Sequence, residues 1–249
     1  MWTLQLIGIF LILGITFLSG FYPFFKKFKS GKNQAFPAAE SLAAGVFLGV
    51  ALIHMLGSAS DQFYRLSYQY PFAFLLAGVM FLFLLLLEHV GREIAVHKGE
   101  SSGAFAVLAT LMLSVHAFLM GAALGLSGSF SVALVILLAI VAHKWAESFS
   151  LSIQINKSSF SLKVNLILFC LFALMTPLGI VLGVSATTTL QQYPLLEPTV
   201  TALAAGTFLY LGTLHGLENA TLITRCCDLK RFWFVILGFA IMAIVAIWT

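Results

Sequence analysis

Charged residues are scarce in this chain of 249 residues: aspartate, glutamate, lysine and arginine together make up 9% of it, whereas a soluble domain carries roughly 25%. Cysteine is also scarce, and three cysteines are too few for a disulfide framework in a chain of this length. Apolar residues make up 61% of the sequence, and the mean hydropathy is +1.04. Because so few charges cannot cover a water-facing surface, soluble and disordered classes are excluded. The composition predicts an integral membrane protein.

The apolar residues fall into runs long enough to cross a bilayer as helices, for which about 20 residues are needed. Pro37 and Pro71 open two of these runs, and proline is tolerated at the first position of a helix. Ser127, Gly128 and Ser129 predict a tight turn between the fourth and fifth runs. The sequence predicts an all-α integral membrane protein with eight transmembrane helices, over residues 3–24, 37–60, 71–91, 103–126, 131–153, 164–185, 199–220 and 231–248.

Basic residues predict the orientation of these helices. Of the thirteen, all but two lie in alternate loops, after the first, third, fifth and seventh runs; the exceptions are Arg65 and Lys144. By the positive-inside rule the basic loops face the cytoplasm, so both termini are extracytoplasmic. The net charge of +4 follows from this topology, and no nucleic-acid partner is expected. We expect a multi-pass protein of the cell membrane that is embedded in the lipid bilayer.

A short repeat relates the second and seventh runs. The segment AAGVFL at 43–48 matches AAGTFL at 204–209, and the same offset of 161 residues places His54 on His215. Because these runs cross the membrane in opposite directions, the repeat is typical of inverted-repeat transporters, whose substrate site lies near the midplane. The sequence predicts one transmembrane domain with an inverted 3+2+3 repeat. Repeat one covers residues 1–91, a central helix hairpin covers 103–153, and repeat two covers 164–249.

Ionisable residues inside transmembrane helices are costly and mark candidate functional sites. The fourth run contains His116, with Met120 one turn later, and the fifth contains His143, with Glu147 one turn later. The two histidines are almost equally far from the intervening turn, so both are predicted near the membrane midplane on neighbouring helices. Imidazole, carboxylate and thioether groups suit a divalent metal such as zinc. A lone buried histidine is more often a packing residue, but two level histidines beside a carboxylate favour a metal site.

Four other charged or titratable residues lie close to the predicted helix ends or to this site. Lys144 is expected to pair with Glu147, three residues later, or with Glu218 across the bundle. A fixed ammonium group repels a cation, so Lys144 would tune the site. Glu88 and His89, near the inner end of the third run, are predicted to lie at the membrane interface.

A path to and from the central site is indicated by polar residues on either side of it. His54, in the outer half of its helix, and His215, in the inner half, are candidate secondary ligands. Asp61 either raises the local cation concentration at the outer mouth or is an ordinary loop charge. Glu218, one turn past His215, is a candidate at the inner side.

The motifs at these positions resemble those of the Zrt-/Irt-like (ZIP) family of divalent metal transporters. AAGVFLGVALIHML is similar to the family's GGVFLATALLHLLP, MTPLGIVLG to S/TPLGIxxG, and AAGTFLYLGTLH to AGTFLY. HAFLMGAALGL and HKWAESFSLSI resemble HSxxEGLALG and HKxxxxFSLG. The resemblance implies eight spans with both termini outside, a homodimer in many members, and metal influx by alternating access. It implies zinc as the transported ion, with other divalent metals possible.

Carried across by position, the resemblance implies a transport site at His116, Met120, His143 and Glu147. Met120 stands where the family has a glutamate, which removes one anionic ligand. Lys144 and Ala117 stand where members with two metals carry an aspartate and an asparagine. These departures imply one bound metal ion instead of two.

Three functions are compatible with the sequence. The first is a carrier that moves a divalent metal, zinc before others, into the cytoplasm by alternating access through the midplane site. The second is an intramembrane zinc-dependent hydrolase with an open metal position for activated water, but no HExxH motif is present. The third is a transport-inactive ZIP-like metal-binding or scaffold protein, which Met120 and Lys144 keep open. Because His54 and His215 suit a two-sided path, the sequence predicts a transporter and not an enzyme.

Overall fold

The computed structural model describes residues 2–25, 37–98, 101–190, 193–217 and 229–247. Within these ranges the protein is helical and contains no strand, in agreement with the predicted all-α class. Among the described residues, six helical stretches are long and apolar enough to cross a membrane: Trp2–Phe24, Pro37–Arg65, Phe72–Gly91, Ala106–Leu126, Phe130–Asn156 and Leu162–Ala186. The last two predicted spans correspond to shorter described helices, so the count of eight spans stays a prediction.

The α-helices are α1 (Trp2–Phe25), α2 (Pro37–Gly49), α3 (Leu56–Arg65), α4 (Phe72–Lys98), α5 (Ser101–Leu126), α6 (Phe130–Asn156), α7 (Leu162–Leu190), α8 (Leu196–Tyr210) and α9 (Leu229–Val245). A π-helical segment, π1 (Val50–Met55), joins α2 to α3, and a second, π2 (Leu211–Leu217), continues α8. Several helices run past the predicted spans. Hydropathy marks the apolar part of a helix, whereas backbone hydrogen bonding continues into polar sequence.

The tight turn predicted between the fourth and fifth runs is present between α5 and α6. Ser129 caps α6, because its hydroxyl accepts a hydrogen bond from the backbone N–H of Val132 at 3.3 Å. Such a cap satisfies one of the free N–H groups at the start of a helix. The turn makes α5 and α6 antiparallel neighbours, which is the arrangement that positions the candidate site.

Close helix crossings determine how the bundle packs, and the crossing of α5 with α7 is the most extensive. At Gly121 a Cβ atom would collide with the carbonyl oxygen of Thr176, and at Gly179 a Cβ would collide with the carbonyl oxygen of Phe118. Small residues are the usual means by which membrane helices approach this closely. The crossing holds α7 beside the part of α5 that carries His116.

We expect Gly121→Ala to destabilise the protein, because its methyl group would meet the rigid backbone of α7. Overpacking of this kind costs about 1–3 kcal/mol. Gly78→Ala on α4 is the matched control, because nothing lies within 4 Å of the added Cβ and alanine favours a helix over glycine. Melting curves in detergent should show a lower midpoint for Gly121→Ala and an unchanged or higher one for Gly78→Ala. Equal midpoints would contradict the tight crossing.

Two structural features recur at the offset of 161 residues found in the sequence. At Gly45 of α2 a Cβ would collide with a carbonyl oxygen of α9, and at Gly206 of α8 it would collide with a carbonyl oxygen of α4. The segments π1 and π2 begin at positions 50 and 211. Both members of each pair therefore occupy equivalent positions of the sequence repeat.

Candidate metal site

Three side chains with metal-binding groups meet between α5 and α6. His116 comes from α5, and His143 and Glu147, one turn apart, come from α6. All three are buried, with at most 1% of any of these side chains exposed. One ligand atom from each residue lies within 4.8 Å of those of the other two. The structure thus brings together three of the four residues that the sequence assigns to the central site.

The distances between these groups match the spacing of ligands around zinc. Glu147 Oε1 lies 3.4 Å from His116 Nε2 and 3.2 Å from His143 Nε2. Two ligand atoms bound to tetrahedral zinc at about 2.05 Å are about 3.3 Å apart. The two spacings between histidine and carboxylate atoms therefore suit a zinc ion without large movement of the side chains.

Three of the four histidine ring nitrogens at this site make no hydrogen bond within the described part of the chain. Among the described residues, His116 Nε2 and both ring nitrogens of His143 are buried and make no hydrogen bond. Buried polar atoms are nearly always paired, because an unpaired one costs about 1–3 kcal/mol. Coordination of a cation by the two Nε2 atoms, which lie beside Glu147, would satisfy two of the three, so the donor set fits a divalent metal.

Helix α8 determines which nitrogen of His116 carries the proton. His116 Nδ1 lies 3.2 Å from the carbonyl oxygen of Ala204 and 2.5 Å from the hydroxyl oxygen of Thr207. The Thr207 hydroxyl donates its own hydrogen to the Ala204 carbonyl at 2.6 Å, so Nδ1–H is the donor in both contacts. The lone pair of His116 is therefore on Nε2, which is the atom that faces Glu147. Support of this kind orients metal-binding histidines in proteins.

An aromatic ring covers the two histidines on the side of α8. The ring centroid of Phe208 lies 3.7 Å from that of His116 and 4.9 Å from that of His143. Phe47 of α2 stacks on Phe208, with the centroids 5.1 Å apart. These rings keep water away from the site, and electrostatic interactions are stronger in such a low-dielectric environment.

Lys144 occupies the opposite side of the Glu147 carboxylate. Its Nζ donates hydrogen bonds to Glu147 Oε2 at 2.8 Å and to Thr176 Oγ1 at 3.0 Å, and it lies 4.4 Å from the ring centroid of Phe172. The predicted pairing of Lys144 with Glu147 is confirmed. Glu147 consequently directs Oε1 toward the histidines and Oε2 toward the ammonium group, which leaves one oxygen for a metal ion.

The other residues predicted along the path are distributed over several elements. Met120, the fourth residue of the predicted central site, is buried in the hydrophobic core one turn after His116. His54 is half-buried in π1, which packs against α6 and α8. Asp61 lies at the exposed end of α3 and accepts a hydrogen bond from Arg65 Nε at 2.7 Å. The backbone of His215 belongs to π2. Its side chain, and the whole of Glu218, lie outside the described residues.

A polar contact joins α3 to α8 at the predicted outer end. Gln62 Nε2 donates to Glu197 Oε1 at 3.3 Å and lies 3.4 Å from Ser58 Oγ. Burial raises the pKa of the Glu197 carboxyl, which precedes the seventh predicted span, and the hydrogen bond from Gln62 opposes this rise. No sequence pattern pairs these residues, because both lie in polar segments far apart along the chain.

Glu88, which the sequence predicts near the membrane interface, turns its side chain into the bundle. Its side chain is buried in α4, and its Oε2 accepts a hydrogen bond from the hydroxyl of Tyr210 in α8. His89, its neighbour, is exposed. A helix places consecutive residues on different faces, so one of the pair turns into the bundle and the other turns out of it.

Sequence reasoning missed the residues that support the site from α7 and α8. These are Thr207 and Phe208 beside the histidines, and Phe172 and Thr176 beside Lys144. A signal was present, because Thr207 and Phe208 lie in the repeated AAGTFL segment and Thr176 lies in MTPLG. The motifs alone do not say which ligand each polar group supports.

Apolar helices of membrane-spanning length around a buried His–His–Glu cluster define the class: a membrane protein with a candidate divalent-metal site. A family model described as ZIP Zinc transporter matches residues 96–246, which is more than half of the sequence. The chain belongs to the ZIP family, whose members are metal transporters and not enzymes. The predicted family and the predicted absence of an enzymatic function are confirmed, and the hydrolase alternative is excluded.

Similar proteins include three that are named as zinc transporters. Zinc transporter ZIP2 of Mus musculus is 26% identical over 258 residues, which cover 83% of this chain and 83% of that protein. Zinc transporter 1 of Oryza sativa subsp. japonica is 28% identical over 295 residues, covering 96% of this chain and 81% of that protein. Zinc transporter ZIP1 of Danio rerio is 33% identical over 158 residues, covering 63% and 52%.

Proposed function

We propose that this protein carries zinc into the cytoplasm through a site formed by His116, His143 and Glu147. The observation that carries the proposal is a pair of buried histidine Nε2 atoms that make no hydrogen bond and lie within 3.4 Å of one carboxylate oxygen. Two imidazoles and a carboxylate are ligands that zinc prefers. The relatives named as zinc transporters support the same cargo. Other divalent metals with an affinity for nitrogen ligands are expected to compete.

One zinc ion is expected at this site at a time. The Lys144 ammonium group donates a hydrogen bond to the second oxygen of Glu147, which a second cation would need as a ligand. Ala117, next to His116, offers no ligand atom. The ammonium group therefore occupies the position that a second metal ion would need. Its repulsion of the bound zinc also weakens zinc binding, so that the ion can be released.

Transport by alternating access is the mechanism that the repeat favours. In this proposal eight spans cross the cell membrane with both termini outside, and the hairpin of α5 and α6 lies between two inverted repeats. The recurrence of π1 and π2, and of the crossings at Gly45 and Gly206, supports this division. Movement of the central hairpin relative to the repeats would open the site to each side in turn. A homodimer is the expected assembly.

The two π-helical segments carry the proposed outer and inner ligands. His54 belongs to π1 and His215 to π2, at equivalent positions of the repeat. Single-turn π-helical segments occur frequently at functional sites. Zinc would pass from His54 to the central site and then to His215, with Asp61 attracting cations outside and Glu218 receiving them inside.

Protons are expected to compete with zinc at the central site. Zinc binds neutral imidazole and ionised carboxylate, so binding displaces any protons from these groups. The apparent zinc affinity should therefore be lower at acidic than at neutral pH.

Met120→Glu should restore the carboxylate that the family has at this position and shift the preference toward harder cations such as manganese. Carboxylates favour manganese more than thioethers do. Competition of manganese with zinc in an uptake assay measures the shift, and we expect manganese to compete about tenfold better. Met120→Leu is the control, because leucine adds no carboxylate, and we expect it to leave the metal preference unchanged. Identical selectivity of all three proteins would mean that Met120 only packs.

Uptake into sealed proteoliposomes tests the proposed function. Purified protein is reconstituted with a zinc-sensitive dye inside, and zinc is added outside. We expect time-dependent, saturable entry of zinc that protein-free vesicles lack. Zinc binding without any flux would instead identify a transport-inactive metal-binding protein, and failure to bind zinc would overturn the proposal.

A further inference from the structure

We infer that Glu88 and Tyr210 are positioning residues for the metal site, which hold α8 where Thr207 supports His116. The inference rests on the proposed function, because it concerns the affinity of the same site. Both residues would act on the candidate ligand His116 indirectly. Their role would be exerted through α8.

The Glu88–Tyr210 pair is a buried polar contact between two helices. Tyr210 is fully buried, Glu88 is 6% exposed, and the tyrosine hydroxyl donates to Glu88 Oε2. The ring of Phe81, about two turns before Glu88 in α4, packs edge-on against Tyr210 with the centroids 6.1 Å apart. A carboxylate inside a membrane protein is costly and is usually retained for a function. Here it fixes the end of α8 to α4.

Helix α8 is held against α4 at a second point one turn earlier. At Gly206 a Cβ atom would collide with the carbonyl oxygen of Ala77. Gly206 and Tyr210 are four residues apart and therefore lie on one face of α8, which is the face packed on α4. The two contacts together fix both the rotation of α8 and its position along its axis.

The residues between these two contacts are those that support the site. Thr207 and Phe208 follow Gly206 and point to a different side of the helix, because successive residues are rotated by about 100°. Thr207 Oγ1 lies 2.5 Å from His116 Nδ1, and Phe208 lies against both histidine rings. A small rotation or slide of α8 would separate Thr207 from His116. The Glu88–Tyr210 contact prevents that movement.

Loss of the contact should therefore weaken zinc binding through His116. Partners of metal-binding histidines typically change metal affinity by about 10–100-fold when they are removed. Because Tyr210 acts one step further away, we expect Tyr210→Phe and Glu88→Leu each to raise the zinc dissociation constant by about tenfold. Glu88→Gln keeps an oxygen that accepts from the tyrosine hydroxyl, so its dissociation constant should stay close to that of the original protein. A direct metal ligand at Glu88 would not be rescued by glutamine.

The test measures zinc binding to purified full-length protein by competition with a chelating dye. Gln5→Leu is the matched control, because it removes another buried contact between helices, from Gln5 Nε2 to the Gly125 carbonyl at 3.4 Å, away from α8. We expect this control to bind zinc as the original protein does. Melting curves confirm that each variant is folded, and Tyr210→Phe, which removes a single oxygen atom, is the variant chosen to be least disruptive.

A double-mutant cycle identifies the route of the effect. If Tyr210 acts through Thr207, then Tyr210→Phe added to Thr207→Val should cost little beyond Thr207→Val alone. Nitrogen-15 spectra of labelled histidine, with His116 assigned by its absence in His116→Gln, should also show that Tyr210→Phe loses the Nδ1–H form of His116. Additive effects, an unchanged tautomer, or unchanged affinity in a protein that binds zinc would overturn the inference. Failure of the original protein to bind zinc would overturn the proposed function instead.

Discussion

Replacing Glu147 by glutamine should abolish zinc uptake. Glu147 supplies the carboxylate of the proposed central site, and its Oε1 lies within 3.4 Å of the Nε2 atoms of both candidate histidine ligands. An amide carries no charge to offset the desolvation of a divalent ion in a buried site. We expect the zinc dissociation constant to rise at least about 100-fold. Mutation of a residue that only hydrogen-bonds to a metal ligand already weakens metal affinity by about 10–100-fold, and loss of a ligand itself should cost more. Uptake by proteoliposomes should fall to the level of protein-free vesicles.

A second substitution separates loss of the ligand from loss of the fold. Glu147→Gln leaves the buried Lys144 ammonium without its anionic partner, and breaking such a pair is destabilising. His143→Ala leaves that pair intact and should also abolish uptake. His89→Ala is the control, because this histidine is exposed on α4. Folded His143→Ala protein that transports zinc at the original rate would contradict the assignment.

Replacing Lys144 by methionine should tighten zinc binding. Lys144 Nζ lies 2.8 Å from Glu147 Oε2, on the far side of the same carboxylate that would bind zinc. A unit charge and a divalent ion about 6 Å apart repel each other by about 5–6 kcal/mol at an effective dielectric constant of about 20. Removing this repulsion should lower the zinc dissociation constant at least about tenfold, because about 1.4 kcal/mol corresponds to a factor of ten.

The same variant should depend on zinc for its stability. Without Lys144 the Glu147 carboxylate is buried without its cation, at a cost of about 3–5 kcal/mol, and bound zinc would take the place of that cation. Melting curves with and without zinc should therefore differ more for Lys144→Met than for the original protein. Lys157→Met is the control, because Lys157 pairs with Glu40 at 3.3 Å at the end of α6, away from the site. Weaker zinc binding in folded Lys144→Met would mean that the lysine shapes the site and does not oppose the ion.

The central cluster was predictable because helix geometry and a short turn determine it. The spacing of His143 and Glu147 places both on one face of a helix, and the turn at 127–129 makes α5 and α6 neighbours. The pairing of Lys144 with Glu147 follows from the same spacing. Local periodicity was sufficient for each of these expectations.

Contacts between distant helices were not predictable in this way. The position of Glu88 depends on Tyr210, which is 122 residues later in the chain. The tautomer of His116 depends on Thr207 and Ala204, in a helix whose packing on α5 no single-helix pattern encodes. The segments π1 and π2 also escape prediction, because apolar sequence is compatible with both α- and π-helical hydrogen bonding and tertiary packing decides between them.

The central claim is that zinc binds between His116, His143 and Glu147 inside the membrane. Crystals of the zinc-loaded protein, measured at the zinc absorption edge, test it most directly. The account predicts one anomalous peak per chain, about 2.0–2.2 Å from the Nε2 atoms of both histidines and from Glu147 Oε1. Zinc bound elsewhere with this cluster empty, or two zinc ions within it, would contradict the account.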